Sequence, residues 1–274
     1  MVEITHDLEI GDHEVVKRYR SWERSEPDRE WAALTLLHRC SPGLAPEPFE
    51  YRSDRGMPTL VMSRVPGVPL GASALTPAQV VAVSDAMRTM HQAVPADHLD
   101  RIPERISGPT EMVVYMREWC RQPRERGSVL VDSAFEAGTQ WVQGPEATEL
   151  TGPLKDRVFA NGDGNLGNYM WDGERCRVVD FEDSGASDCA YEVADLVEHV
   201  SVWLAGLLDS DALVDRFGLD VVQMHRLLAS RRLLALFWLL MLMPGNRGHS
   251  RNPAGSVERQ AQRLHDLLAR QTVG

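Results

Sequence analysis

Asp163, Asn168 and Asp180 are the residues of this chain whose types and spacing could do chemistry. The stretch Asn161-Gly162-Asp163-Gly164-Asn165-Leu166-Gly167-Asn168 sets a carboxylate and, five residues on, an amide; Val178-Val179-Asp180-Phe181-Glu182 sets a second carboxylate at the end of a short apolar run. A phosphoryl-transfer site needs such a set. One carboxylate orients and deprotonates an attacking hydroxyl, while an amide oxygen and another carboxylate hold Mg²⁺ on the phosphates. Mg²⁺ prefers hard oxygen ligands. Between Asn168 and Asp180, Tyr169-Met170-Trp171, then Asp172-Gly173-Glu174, then residues 176–179 read as strand, turn, strand. A hairpin there is expected to return Asp180 beside Asn168. The rival reading, a polar surface loop before an ordinary hairpin, leaves the agreement of the three spacings unexplained.

The elements that must position these residues fall into two parts. Residues 2–10 and 14–19 read as short strands joined at Gly11-Asp12. Residues 29–39 carry Trp31, Leu34 and Leu37 at helical spacing after Pro27 and Asp28. Phe49-Glu50-Tyr51 and residues 59–65 read as a second hairpin around Asp54-Arg55-Gly56, and Pro66-Gly67-Val68-Pro69 breaks the pattern. Beyond it the chain is expected to be mostly helical, over 76–91, 110–121, 133–143, 221–232, the apolar 233–243 and 257–270, with a loop at 244–256.

Composition sets outer limits. The chain has 274 residues, 43% hydrophobic and 25% charged, enough for one large domain or two modest ones. The N-terminus has neither a basic region nor an apolar core of the secretory kind, and the longest apolar stretch is too short to span a bilayer. No membrane partner is therefore expected. Cys40, Cys120, Cys176 and Cys189 form no Cys-x-x-Cys pair, so zinc and redox motifs are unsupported, and a cytoplasmic location is the default. The net charge of −11 argues against a nucleic-acid partner and suits a cationic one.

The catalytic and metal-binding segments resemble those of the aminoglycoside phosphotransferase family, a small-molecule branch of the protein-kinase-like fold. The resemblance runs from about Glu14 to Leu196. It implies a two-lobed α+β architecture, with an N-terminal nucleotide-binding lobe over residues 1–65 and a catalytic and substrate-binding lobe over 66–274. It implies Mg²⁺ with ATP or GTP, Asp163 as catalytic base, and Asn168 and Asp180 as metal ligands. Alternation puts Val15, Lys17 and Tyr19 on one strand face; the resemblance makes Lys17 a phosphate ligand held by Glu30 on the first helix. Met62 would sit behind the purine, with the backbone of Ser63 and Val65 along its edge. His91 is expected to be a packed structural residue. Asp188 would cap the following helix, and with Glu182, Asp183, Glu192 and Asp195 it forms either an acidic lining for a cationic substrate or a solvated helix face. Arg231 and Arg232 are expected as surface charges.

Two departures stand out. Asn161 occupies the position where the family usually has His, which predicts altered bracing of the loop. Only 16 residues precede Lys17, with Gly11 the single glycine among them, so the phosphate-covering turn is expected to be short, with more reliance on Mg²⁺ and Lys17. The expected activity is O-phosphorylation of a hydroxylated small molecule by a monomer or homodimer, with antibiotic resistance as the role by family association. The alternatives are a metabolic kinase of the choline, sugar or amino-alcohol type, and a catalytically weak binding protein.

Overall fold

The computed structural model describes residues 6–270, so the expected strand residues 2–5 lie outside the described part. The chain forms two compact units, one comprising residues up to 106 together with 157–187, the other residues 107–156 and 188 onward.

The first unit begins with a four-stranded antiparallel sheet ordered β1-β2-β4-β3, with β1 His6–Ile10, β2 Glu14–Tyr19, β3 Pro48–Asp54 and β4 Met57–Ser63. The Gly11 N–H closes the first hairpin onto the Glu14 carbonyl at 2.8 Å. Arg55 and Gly56 close the second, both at positive φ, the backbone a two-residue hairpin turn demands. Helix α1, Glu26–Cys40, starts three residues before the expected residue 29 because Pro27 fits the first helical turn, where its missing N–H costs nothing. Its buried residues Glu30, Ala33, Leu34 and Leu37 recur every three or four positions. Glu30 is therefore carried inward on an apolar stripe.

After strand β5 (Val68–Pro69), helix α2 (Pro77–Gln92) opens with a reciprocal Thr76–Gln79 capping box, and a single turn α3 (Ala96–Leu99) follows. The chain returns to this unit as β6 Arg157–Ala160, β7 Tyr169–Trp171, β8 Cys176–Val178 and β9 Gly185–Asp188. β5, β7 and β8 form one small sheet and β6 pairs with β9. The Pro66–Pro69 break thus contains a short strand, with Val68 paired to Trp171.

The second unit is helical: α4 Pro109–Trp119, α5 Val129–Gln143, α6 Pro145–Thr148, α7 Cys189–Glu198, α8 Val200–Trp203, α9 Ser210–Asp215, α10 Val221–Leu242 and α11 Ser256–Ala269. Residues 221–232 and 233–243, read separately in the sequence, are one continuous helix whose buried residues include Leu227, Leu233, Leu234, Leu236, Leu239 and Leu240. Gly138 on α5 sits where a Cβ would fall 2.7 Å from Leu236 Cδ1, so a larger residue there would have to displace the leucine ends packed between α5 and α10.

Candidate active site

The β7–β8 hairpin does what its spacing predicts. Tyr169 pairs with Val178, and the Val179 N–H donates to the Asn168 carbonyl at 2.9 Å, so the residue before β7 and Asp180, two past β8, are brought together. Asp180 takes a left-handed backbone, φ 67°. That is uncommon outside glycine, and Asp and Asn tolerate it best.

Lys17 is 3% exposed and sits among three carboxylates from two segments, α1 and the stretch after β8. Its Nζ lies 2.7 Å from Glu30 Oε2, 2.6 Å from Asp180 Oδ1 and 2.9 Å from Glu182 Oε2. Burial alone would lower its pKa, but Glu30 and Asp180, with smaller help from Glu182, hold it well above the usual value. Glu30 also accepts from the Tyr19 hydroxyl and, at 3.3 Å, from the Phe181 N–H. A single buried carboxylate thereby ties β2 to the segment that carries Asp180. Burial raises Glu182, yet His6 and Lys17 bring it below the ordinary carboxylate range.

Asp163 is fixed by its own loop. Its Oδ1 accepts from the Asn165 N–H at 3.1 Å and its Oδ2 from Asn168 Nδ2 at 3.0 Å. Asn161 braces the same loop by donating from Nδ2 to the Asp163 carbonyl at 3.1 Å, so the residue that departs from the family pattern still holds the loop. Gly162 has φ +88°, and a Cβ there would fall 2.3 Å from the Asp183 carbonyl oxygen. The approach of the 183 backbone to the Asp163 loop depends on that glycine.

A cavity of about 440 Å³ opens beside these groups, within the usual range for small-molecule sites. Lys17, Asp180 and Asn168 line one part of it; Met62, Ser63 and Val65 line another. The N–H of Ser63 is taken by the Glu47 carbonyl and that of Arg64 by the His13 carbonyl, both at 2.8 Å. A divalent cation fits this donor set. Glu30, Asp180 and Glu182 bring carboxylate oxygens within 4.8 Å of one another, and since Lys17 Nζ already sits among them, the second oxygen of Asp180 is the one left for a cation beside Asn168. Because the Asn168 nitrogen is already given to Asp163, its remaining polar atom is a hard oxygen.

The acidic residues proposed as substrate ligands do not gather in one place. Glu182 is at the Lys17 cluster. Burial pushes the Asp183 carboxyl up to about 6, against the pull of Arg105 and with the help of Glu182. Asp188, which precedes α7, and Glu192 and Asp195 on it are all buried, so the solvated-face reading is overturned; that helix is apolar around the rest of its circumference and the helices packed on it leave no face to water. Asp188 caps α7 through the Tyr191 N–H, as expected, but its other oxygen is held by Arg226 Nε at 2.7 Å, so it is no open lining carboxylate. Arg231 and Arg232 are also buried, not surface charges. Arg231 Nε and Arg263 Nη2 both reach Glu198, at 2.6 and 2.8 Å, and Arg232 donates to the carbonyls of Leu267 and Arg270 at the end of α11. His91 is buried as expected, and burial pushes its pKa down to about 3, leaving the ring neutral.

Sequence reasoning missed three contributors. Arg105 donates from Nη2 to the Gly162 carbonyl and from Nε to the Ile106 carbonyl at 3.0 Å, fastening the Asp163 loop. Arg29 donates to the Ser184 carbonyl at 2.6 Å. His6 lies 3.5 Å from Glu182. Arg105 has no local signature, because the carbonyl through which it fastens the loop, that of Gly162, lies 57 residues along the chain; the adjacency of Arg29 to Glu30 was the one available signal.

An antiparallel sheet followed by a mostly helical part is the protein-kinase-like fold. The profile of the phosphotransferase enzyme family, APH, matches residues 6–225, and the chain belongs to that family: it transfers a phosphoryl group to a hydroxyl of a small molecule. No curated protein matches it in sequence. Among solved structures it is similar to a thermostable mutant of aminoglycoside phosphotransferase APH(4)-Ia in ternary complex with ADP and hygromycin B, at 16% identity over 98% of this chain and 91% of that one, with a TM-score of 0.64. A choline/ethanolamine kinase family protein from Mesorhizobium loti matches at 16% identity over 98% and 87%, TM-score 0.62. Choline kinase LicA from Streptococcus pneumoniae matches at 14% over 97% and 89%, TM-score 0.58. At these identities the likeness establishes the fold. No helix among the described residues is long and apolar enough to cross a membrane.

Proposed function

We propose that the chain uses a magnesium-bound nucleoside triphosphate, ATP or GTP, to phosphorylate a hydroxyl of an antibiotic or similar hydroxylated compound, and so serves antibiotic resistance. The observation that carries the nucleotide half is the Lys17 ammonium, 2.7 Å from Glu30 and 2.6 Å from Asp180, in a cavity it shares with Met62 and Val65. The nucleotide-bound APH(4)-Ia structure supports the same assignment. In this reading residues 1–65 serve the nucleotide and 66–274 the catalytic groups and acceptor. Lys17, held by Glu30, takes phosphate oxygens; Met62 backs the base, with the backbone of Ser63 and Val65 along its edge. Asn168 and Asp180 would hold Mg²⁺, which supplies charge neutralisation on the phosphates. Asp163, locked by Asn165 and Asn168, orients the acceptor hydroxyl and takes its proton. Its two hydrogen bonds fix its direction before the acceptor arrives, which is where most of such a site's effect originates.

A second reading, a metabolic kinase of a choline, sugar or amino-alcohol acceptor, is favoured by α7. Asp188 is spent on Arg226, and Glu198 at the end of the same helix on Arg231 and Arg263, which leaves fewer carboxylates for a polycationic antibiotic. The deciding experiment measures diphosphate release with Mg²⁺ and ATP or GTP against hydroxylated antibiotics, nucleosides and amino alcohols, with product masses. A gain of one phosphate names the acceptor class. Triphosphate binding without turnover on any acceptor would point to a binding protein that keeps the fold.

A further inference from the structure

The cavity of the first unit has a direction. Ile10, Val15 and Met62 form one cross-strand row on the face that lines it; Leu8, Lys17 and Leu60 form the next, and His6 with Tyr19 the one after. Rows on one strand face advance about 6.6 Å each. The cavity therefore passes from an apolar end at Met62 to a charged one at Lys17, and His6 lies past Lys17, roughly 13 Å from Ile10 along β1. His6 lines the cavity there. Its ring packs against Tyr19, with centroids 6.1 Å apart, and its Nδ1 lies 3.5 Å from Glu182 Oε2.

That end is poor in donors. Three carboxylates, Glu30, Asp180 and Glu182, surround one ammonium, and an entering polyphosphate adds further negative charge. A glycine-rich turn ordinarily supplies backbone N–H groups to phosphates. Gly11 cannot do so, because it follows Ile10 at the apolar end of the cavity and its own N–H is bound to Glu14. Among the described residues before Lys17, the side chains with N–H donors are His6 and His13, and His13 sits in the hairpin turn beyond Gly11. We propose that His6 is a phosphate-binding residue of the nucleotide site, its imidazole donating to a phosphate oxygen beside Lys17 in exchange for Glu182. The proposal rests on the nucleotide reading above and adds to it a ligand outside the matched lysine, asparagine and aspartate set.

The test is calorimetric titration of the full chain with MgATP, MgGTP, ADP, adenosine and guanosine. A hydrogen bond to a charged group predicts that His6→Ala weakens triphosphate binding by about tenfold or more, with nucleoside binding and the thermal midpoint unchanged. His6→Asn, which keeps an N–H donor, should recover part of the loss. Triphosphate affinity unchanged in His6→Ala overturns the proposal, as does a proportional loss of nucleoside binding, since His6 would then shape the fold or the base end. A wild-type chain that binds neither triphosphate refutes the nucleotide reading itself, a distinct result that takes the role of His6 with it.

Discussion

Lys17 is held at 2.6–2.9 Å by carboxylates from α1 and from the segment after β8, so its removal leaves like charges facing each other in a buried place. Breaking such a cluster by deleting one sign costs about 3–5 kcal/mol. Lys17→Met, which keeps the stem, is expected to lose stability of that order in denaturant unfolding; a midpoint equal to wild type would mean the cluster is loosely held. Asp163→Ala should lower kcat by about 10²- to 10⁴-fold with nucleotide affinity nearly unchanged. Normal turnover in that variant would remove Asp163 as the base. Asp183 gives a pH signature. Its folded pKa, about 6, lies above the ordinary unfolded value, so the folded chain binds the extra proton between about pH 4 and 6 and loses stability as pH rises through that window. Asp183→Asn is therefore expected to raise the thermal midpoint at pH 7 and to leave it near wild type at pH 4. Equal gains at both values would assign the effect to packing instead of ionisation.

Among the elements, the Asp163 loop depends on Gly162 twice, for its φ of +88° and for the space that the Asp183 carbonyl fills. Gly162→Ala should cost at least about 1 kcal/mol from backbone strain alone and should lower kcat far more than it raises the nucleotide KM, since Lys17 is on another strand. A variant with wild-type kcat would show that the loop tolerates displacement. The elements legible in the sequence were those whose cause is local. Strand β2 matched its expected span because alternation declares it, α2 because Thr76-Pro77 announces a helix start, and the β7–β8 hairpin because turn residues separate two apolar runs. Asp163, Asn168 and Asp180 were legible as candidates from their spacing across a local hairpin, whereas Lys17 and Glu30 were marked by the family resemblance, with strand alternation giving only the face of Lys17. The fate of Arg231, Arg232 and the α7 acids was not legible. Their burial depends on which helices pack on α7 and α10: periodicity marks no inner face on α10, and the acidic side of α7 reads as a solvated one until its packing is known.

Taken whole, the molecule carries a formal charge of −11, which draws cations and repels anions over distances beyond contact. If the acceptor is an amine-bearing compound, kcat/KM should fall steeply as salt rises, whereas for a neutral sugar it should stay nearly flat; stopped-flow or initial-rate measurement at several ionic strengths separates the two. Glu198 provides a check on the second unit. Glu198→Gln leaves Arg231 and Arg263 without their charge partner and is expected to lower the thermal midpoint without shifting the acceptor KM. A raised KM with an intact midpoint would instead put Glu198 at the acceptor site.

The left-handed backbone of Asp180 bears on how this gene can drift. Most side chains resist that conformation, so most replacements there damage folding as well as chemistry and are removed by selection on the fold. Asparagine tolerates the same φ, keeps one oxygen, and lies one nucleotide change away from aspartate. The easiest route by which a lineage sheds catalysis and keeps a folded binding protein therefore runs through Asn at 180. In homologues with that residue, loss of magnesium-dependent turnover should come without loss of thermal stability.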